Sequence, residues 1–68
     1  MTVAIMTKAR PFRDEIYLGV EKNRNKAEKE LRRKFPHMMP ENENDKCISF
    51  TAHEDGELIM LFIHLEEV

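Results

Sequence analysis

Apolar and polar residues alternate along the last third of the chain, and this pattern predicts a β-hairpin. Asp55-Gly56 is a pair that two-residue hairpin turns favour, because both positions need a positive φ. If this pair forms the turn, the numbers of opposed residues sum to 111. The apolar residues then meet on one side of the sheet as Ala52–Ile59, Phe50–Leu61 and Ile48–Ile63. The turn alone fixes this register, so the apolar match supports it independently.

The first twenty residues show the same alternation in two shorter segments. These predict strands whose apolar faces are made by Val3 and Ile5 and by Ile16, Leu18 and Val20. The segment 8–14 between them is polar and contains Pro11, so we expect a loop there. The two strands therefore predict a second hairpin.

The middle of the chain predicts one helix. Asn25 and Glu28 have the spacing of a capping box, and Pro36 marks the helix end. One apolar stripe at positions i, i+4 and i+8 is formed by Ala27, Leu31 and Phe35. The segment 37–45 has no hydrophobic period and is predicted to be a loop.

Together these elements predict a single small α+β domain covering residues 1–68, with the element order ββαββ. We expect a four-stranded, mainly antiparallel sheet with one helix packed on one face. The predicted core is Val3, Ile5, Ile16, Leu18, Val20, Ala27, Leu31, Phe35, Ile48, Phe50, Ile59, Leu61 and Ile63.

The side of the last hairpin that faces away from the helix is the main candidate for a binding surface. In the predicted register it carries Cys47, Ser49, Thr51 and His53 opposite His64, Phe62, Met60 and Leu58. A contiguous apolar patch on a small protein usually marks an interface. The predicted partner or dimer interface is Leu58, Met60, Phe62, Thr51 and Ser49. A homodimer is the simplest such interface, and cover by a loop at Met38-Met39 is the alternative.

Charge is divided unevenly along the chain. Residues 1–35 hold ten basic and five acidic side chains, whereas residues 36–68 hold one basic and eight acidic ones. Six basic residues lie in or beside the predicted helix: Lys22, Arg24, Lys26, Lys29, Arg32 and Arg33. They could contact phosphates, so nucleic-acid binding is an alternative function. A solvated helix face, or neutralisation of one half by the other, explains the same pattern.

The sequence offers little for catalysis or metal binding. Cys47 and His64 are predicted to be opposed across the hairpin, but two ligands are too few for a zinc site. The chain has two glycines and contains no phosphate-binding loop, nucleophile elbow or His-Glu-x-x-His motif. We therefore expect no enzyme activity, no cofactor, no metal and no small-molecule substrate.

One cysteine cannot form an intrachain disulfide, and an unpaired thiol suits a reducing compartment such as the cytoplasm. The longest apolar run, 58–63, is too short to span a bilayer, so no membrane association is expected. These observations predict a non-catalytic protein-interaction module that acts as an inhibitor, adaptor or regulator on a larger protein. Small chains of this kind are associated with viral or mobile-element regulators of host machinery.

Overall fold

The computed structural model describes residues 1–68 and contains five strands and one helix. The elements are β1 (Thr2–Ala9), β2 (Glu15–Glu21), α1 (Arg24–Lys34), β3 (Met39–Glu43), β4 (Cys47–Glu54) and β5 (Glu57–Glu67). All strand pairs are antiparallel, and the sheet order is β2-β1-β5-β4-β3. No helix is long and apolar enough to cross a membrane.

The prediction of four strands in the order ββαββ is wrong, because β3 lies within the segment predicted to be a loop. Every residue of β3 is exposed, so its sequence carries no alternation of apolar and polar positions. The strand is held by pairing with β4 at the edge of the sheet, where a residue such as Pro40 is tolerated. The register shifts between Pro40 and Asn42, which leaves Glu41 as a bulge.

The second hairpin confirms the predicted register. Ala52 pairs with Ile59, and the numbers of all paired residues in β4 and β5 sum to 111. Asp55 and Gly56 both have positive φ, of 54° and 80°, as a two-residue turn of this kind requires.

The core lies between α1 and one face of the sheet. The buried apolar residues are Ala4, Met6, Ala27, Leu31, Met38, Ile48, Phe50, Ala52, Ile59, Leu61 and Ile63. Helix α1 contacts β1, β2 and β5. Leu18 and Phe35 are partly buried against this cluster.

The predicted core is wrong in the first hairpin. Ala4 and Met6 face the helix, whereas Val3 and Ile5 are only partly buried on the other side of β1. Both faces of β1 are apolar, so alternation could not decide which face packs against the helix. Two predicted core residues of β2 are largely exposed, because this strand forms the other edge of the sheet: Ile16 and Val20.

The N-cap of helix α1 lies two residues earlier than predicted. Asn23 is the N-cap, and its side-chain oxygen accepts a hydrogen bond from the Lys26 amide at 3.0 Å. The predicted capping box at Asn25 is therefore wrong. The predicted stripe is confirmed in its position, since Ala27 and Leu31 are fully buried.

Ion pairs tie the end of the first hairpin to the turn of the second. Glu54 accepts hydrogen bonds from Lys8 and Arg10, and the Lys8 Nζ–Glu54 Oε1 distance is 2.9 Å. Arg10 also contacts Glu57 at 2.7 Å. The pKa of the Glu54 carboxyl is lowered chiefly by the hydrogen bond from Lys8, against a smaller effect of burial. These ion pairs join the basic first half of the chain to its acidic second half, as expected if the two halves neutralise each other.

Replacing the turn glycine tests the hairpin register. Gly56→Val should lower the free energy of unfolding by about 1–2 kcal/mol, because a β-branched residue resists a positive φ. No atom lies within 4 Å of a Cβ built at this position, so the loss reports backbone conformation alone. Gly56→Asn is the matched control, and chemical denaturation should show a smaller loss because Asn adopts this region more readily. Equal stability of Gly56→Val and the parent would contradict the turn assignment.

Truncation on the buried stripe of α1 tests the packing of the helix. Leu31→Ala should lower the free energy of unfolding by about 2–5 kcal/mol, because this fully buried side chain leaves a cavity. Lys29→Ala, on the exposed side of the same helix, should change it by less than about 0.5 kcal/mol. Urea unfolding at fixed pH measures the free energy of unfolding of both variants. Similar losses would mean that a different face of the helix packs against the sheet.

Candidate functional site

The side of the sheet opposite α1 is not covered by any other element, and we call it the open face. The strand register assigns to it the side chains that alternate with the buried core residues. Its members are Val3, Ile5, Thr7 and Ala9 on β1, Glu15, Tyr17 and Val20 on β2, Met39 and Asn42 on β3, Cys47, Ser49, Thr51 and His53 on β4, and Leu58, Met60, Phe62, His64 and Glu66 on β5.

The structure brings the five sequence-predicted interface residues together at the centre and one end of the open face. Ser49 pairs with Phe62, and Thr51 pairs with Met60. Leu58 is 52% exposed, whereas the other four are partly or fully buried by their neighbours. Their positions are as predicted, and their role as an interface stays a prediction.

The alternative that a loop covers this face is wrong. Met38 is buried in the core on the helix side. Met39 pairs with Thr51 as part of β3 and is itself 64% exposed. The apolar surface is therefore open to a second molecule.

The composition of the open face is its most informative property. None of the eleven Lys and Arg residues is among the strand residues of this face, although they make up nearly a sixth of the chain. Lys22, one residue past the end of β2, borders the face beside Val20. Its large side chains include two aromatic residues and two methionines, namely Tyr17, Phe62, Met39 and Met60. Depletion of charge together with aromatic residues and Met is typical of the core of a protein–protein interface.

A polar cluster extends from the β2 margin of this apolar surface towards its middle. Thr7 Oγ1 donates to Glu15 Oε1 at 2.7 Å, and His64 Nε2 lies 2.8 Å from the same oxygen. The His64 ring stacks on Phe62, with ring centroids 5.7 Å apart. The hydrogen bond from His64, and then that from Thr7, holds the pKa of the Glu15 carboxyl below its usual value. The cluster therefore keeps a carboxylate charged and hydrogen-bonded beside an apolar surface.

This cluster was not predicted, because Glu15 and His64 are 49 positions apart in the chain. They meet only because β1 pairs with β5, with Thr7 opposite Phe62. No local pattern in either segment indicates that pairing.

Cys47 and His64 are directly opposed on the open face, as predicted. Burial, and to a smaller extent the nearby charge of Glu15, raises the pKa of the Cys47 thiol. Since the thiolate is the nucleophilic and metal-binding form, this environment reduces the reactivity of the thiol. No group of three or more His, Cys, Asp or Glu side chains is placed to hold a metal ion.

Three of the six basic residues proposed for nucleic-acid contact are engaged in ion pairs. Arg24 binds both carboxylate oxygens of Glu43, with the shorter contact at 2.6 Å. Arg33 forms a bidentate contact with Glu30, and Arg32 lies 3.8 Å from Glu28. The other three, Lys22, Lys26 and Lys29, have no carboxylate within 4 Å.

Two further exposed apolar features were not predicted. Phe12 is fully exposed in the loop between β1 and β2 and has a positive φ of 60°. A shallow hollow beside β2 is lined by Met1, Val3, Val20, Glu21 and Lys22. Single apolar residues outside a regular alternation, such as Phe12 in its loop, do not indicate from the sequence alone whether they will be exposed.

The fold and the open face define a small α+β domain with one helix on one side of a five-stranded antiparallel sheet and an uncovered apolar surface on the other. No family model, curated protein or solved structure matches this chain. Its function is therefore inferred from the geometry and charge of its surfaces.

The hydrogen-bonded carboxylate of Glu15 predicts a particular pH dependence of stability. Its pKa in the folded chain lies below the ordinary value of 4.5, so its contribution is present above about pH 4.5 and is lost as the pH falls through the lower, folded-state pKa. Glu15→Gln should therefore be less stable than the parent near neutral pH, and the difference should shrink in acid.

Thermal unfolding between pH 2 and pH 7 measures this difference. Glu66→Gln is the control, because Glu66 is an exposed carboxylate on the same face with no hydrogen-bond partner in the chain. A difference between Glu15→Gln and the parent that stays constant with pH would contradict the assigned hydrogen bonds.

Proposed function

We propose that this chain is a non-catalytic protein-interaction module whose open face binds an apolar surface on a larger protein. It would act as an inhibitor, an adaptor or a regulator. The observation that carries the proposal is the absence of Lys and Arg from a face that holds Tyr17, Met60 and Phe62. That composition favours a protein surface over a phosphate backbone, because binding to nucleic acid depends on cations.

The size of the open face supports the same proposal. Five strands spaced at about 4.8 Å and averaging close to 8 residues in length give a face of roughly 600 Å². Standard protein–protein interfaces bury about 800 Å² on each partner. The face is therefore large enough to form most of one such interface.

The charges at the margins of the face define the partner more closely. Its two carboxylates, Glu15 and Glu66, have no basic side chain of the open face between them. A partner surface that is apolar at its centre and carries Lys or Arg at its margin would complement this arrangement.

A non-catalytic role fits the environment of the one thiol. The raised pKa of Cys47 makes it a poor nucleophile. A free cysteine also fits a reducing compartment, and we propose the cytoplasm as the place of action. The small size fits regulators of the viral or mobile-element kind, by association alone.

A charge introduced at the exposed end of the open face tests the proposal. Leu58→Glu should weaken partner binding at least about tenfold, because the carboxylate would be buried against an apolar surface. Stability should change little, since Leu58 is half exposed in the free chain. Phe12→Glu is the matched control, because it places the same charge on an exposed apolar residue in a loop outside the sheet.

The two variants and the parent are used as immobilised baits on nuclease-treated extract of the source cell. The expected result is a protein retained by the parent and by Phe12→Glu but lost with Leu58→Glu, and titration of the purified protein then gives the change in Kd. Retention by all three baits, or loss only with Phe12→Glu, would contradict binding through the open face.

Nucleic-acid binding is the second candidate, and the three lysines without carboxylate partners favour it. If Lys22, Lys26 and Lys29 contact phosphates, affinity for a short duplex should fall steeply as salt is raised. Replacing all three by Ala should reduce that salt dependence, whereas Leu58→Glu should leave it unchanged. Fluorescence anisotropy with labelled DNA and RNA duplexes measures both effects. A chain that binds neither duplex at low salt excludes this candidate.

A further inference from the structure

The two edges of the sheet differ in how well they are protected against pairing with another strand. Edge strand β3 contains Pro40, which lacks an N–H donor, and the charged residues Glu41 and Glu43. Edge strand β2 has neither device over the five residues 16–20. Three of its apolar or aromatic side chains are exposed: Ile16 at 47%, Tyr17 at 64% and Val20 at 49%. An edge of this kind, with neither charge nor proline over these residues, is a template for strand addition.

We propose that β2 pairs antiparallel with β2 of a second copy of this chain, and that each Tyr17 ring enters the hollow beside Val20 of the other copy. This inference goes beyond the proposed function and does not rest on it, since it concerns the β2 edge, where the open face ends, rather than the centre of that face around Met60 and Phe62. The interface is isologous, so each contact is made twice about a two-fold axis.

The side-chain directions of β2 select one register for this pairing. The bulge between the pairs Met6–Gly19 and Thr7–Tyr17 places Tyr17 and Val20 on the same side of the sheet. A register in which opposed residue numbers sum to 37 puts Tyr17 opposite Val20 of the second copy. Leu18 and Gly19 then lie at the two-fold axis, where the missing side chain of Gly19 leaves room for the bulge.

The hollow beside Val20 suits the tyrosine in its chemistry. Its lining combines the apolar residues Met1, Val3 and Val20 with the charged residues Glu21 and Lys22. An aromatic ring would bury its apolar body against the first set while its hydroxyl stays near the second. The same register therefore brings the most exposed side chain of β2 onto the most apolar hollow beside it.

The charges at the ends of β2 are complementary in this register. Glu15 lies opposite Lys22 of the second copy, and the pair occurs twice. Both Thr7 and His64 contact Oε1 of Glu15, so Oε2 has no partner within its own chain. Lys22 has no carboxylate within 4 Å. Each group is therefore available to the other copy.

Sedimentation equilibrium of the full-length chain over a range of concentrations tests the proposal. The parent should be a dimer, and Lys22→Glu should raise its dissociation constant about tenfold, because two attractive pairs become repulsive. The double variant Glu15→Lys with Lys22→Glu exchanges the charges and should restore dimerisation to within about threefold of the parent. Lys29→Glu makes the same charge change on the outer side of α1 and should leave the dissociation constant unchanged.

A second variant tests whether loss of the dimer could result from unfolding of the monomer. Tyr17→Ala removes a side chain that is largely exposed in the monomer, so circular dichroism should show an intact fold while the dimer weakens about tenfold or more. A parent that sediments as a monomer at the highest soluble concentration overturns the proposal. So does a dimer that survives Lys22→Glu and Tyr17→Ala but is lost with Leu58→Glu, because that dimer would form through the open face.

Discussion

The pairing of β1 with β5 is the interaction on which the rest of the structure depends. It joins the two hairpins into one sheet through eight residue pairs between opposite ends of the chain. It places Met6 beside Ile63 under the helix and Thr7 beside Phe62 on the open face. It also brings the end of β1 to the turn of the second hairpin, where Lys8 and Arg10 meet Glu54. Without this pairing Met6 would lose its contact with Ile63, Glu15 would lose His64, and Lys8 and Arg10 would lose Glu54.

What could be predicted from the sequence was local, and what could not was set by tertiary contacts. The turn at Asp55-Gly56 fixes the register of β4 and β5, and the single apolar face of β4, formed by Ile48, Phe50 and Ala52, shows which side of this hairpin is buried. The strand β1 has two apolar faces, so its orientation depends on which one the helix covers. The strand β3 has no apolar face, because it is held by backbone pairing with β4 and all its side chains are exposed. The residues of the predicted interface lie on the expected side of the sheet because the turn fixes that register, and their role as an interface stays a prediction.

Folding also resolves the uneven distribution of charge along the chain. Basic side chains of the first half find acidic partners in the second, as at Lys8–Glu54 and Arg24–Glu43. The Lys8–Glu54 pair is partly buried, and the lowered pKa of Glu54 reflects its directional hydrogen bonds. The remaining basic residues lie on the helix and in the loops, so the sheet presents a face without cations. The fold therefore separates a charged side from an apolar side, although the sequence mixes both.

A chain of 68 residues buries a limited area, so apolar side chains that remain in water are a cost it must offset elsewhere. The exposed apolar residues of the sheet fall in two places, along the edge strand β2 and on the open face. In the proposed pairing through β2, the two sheets would become one sheet of ten strands, and their open faces would lie side by side. The dimer would then leave a surface of roughly twice the area available to a larger protein. Edge pairing and face binding are therefore compatible in one assembly, whereas a dimer formed face to face would bury the surface that the proposed partner needs.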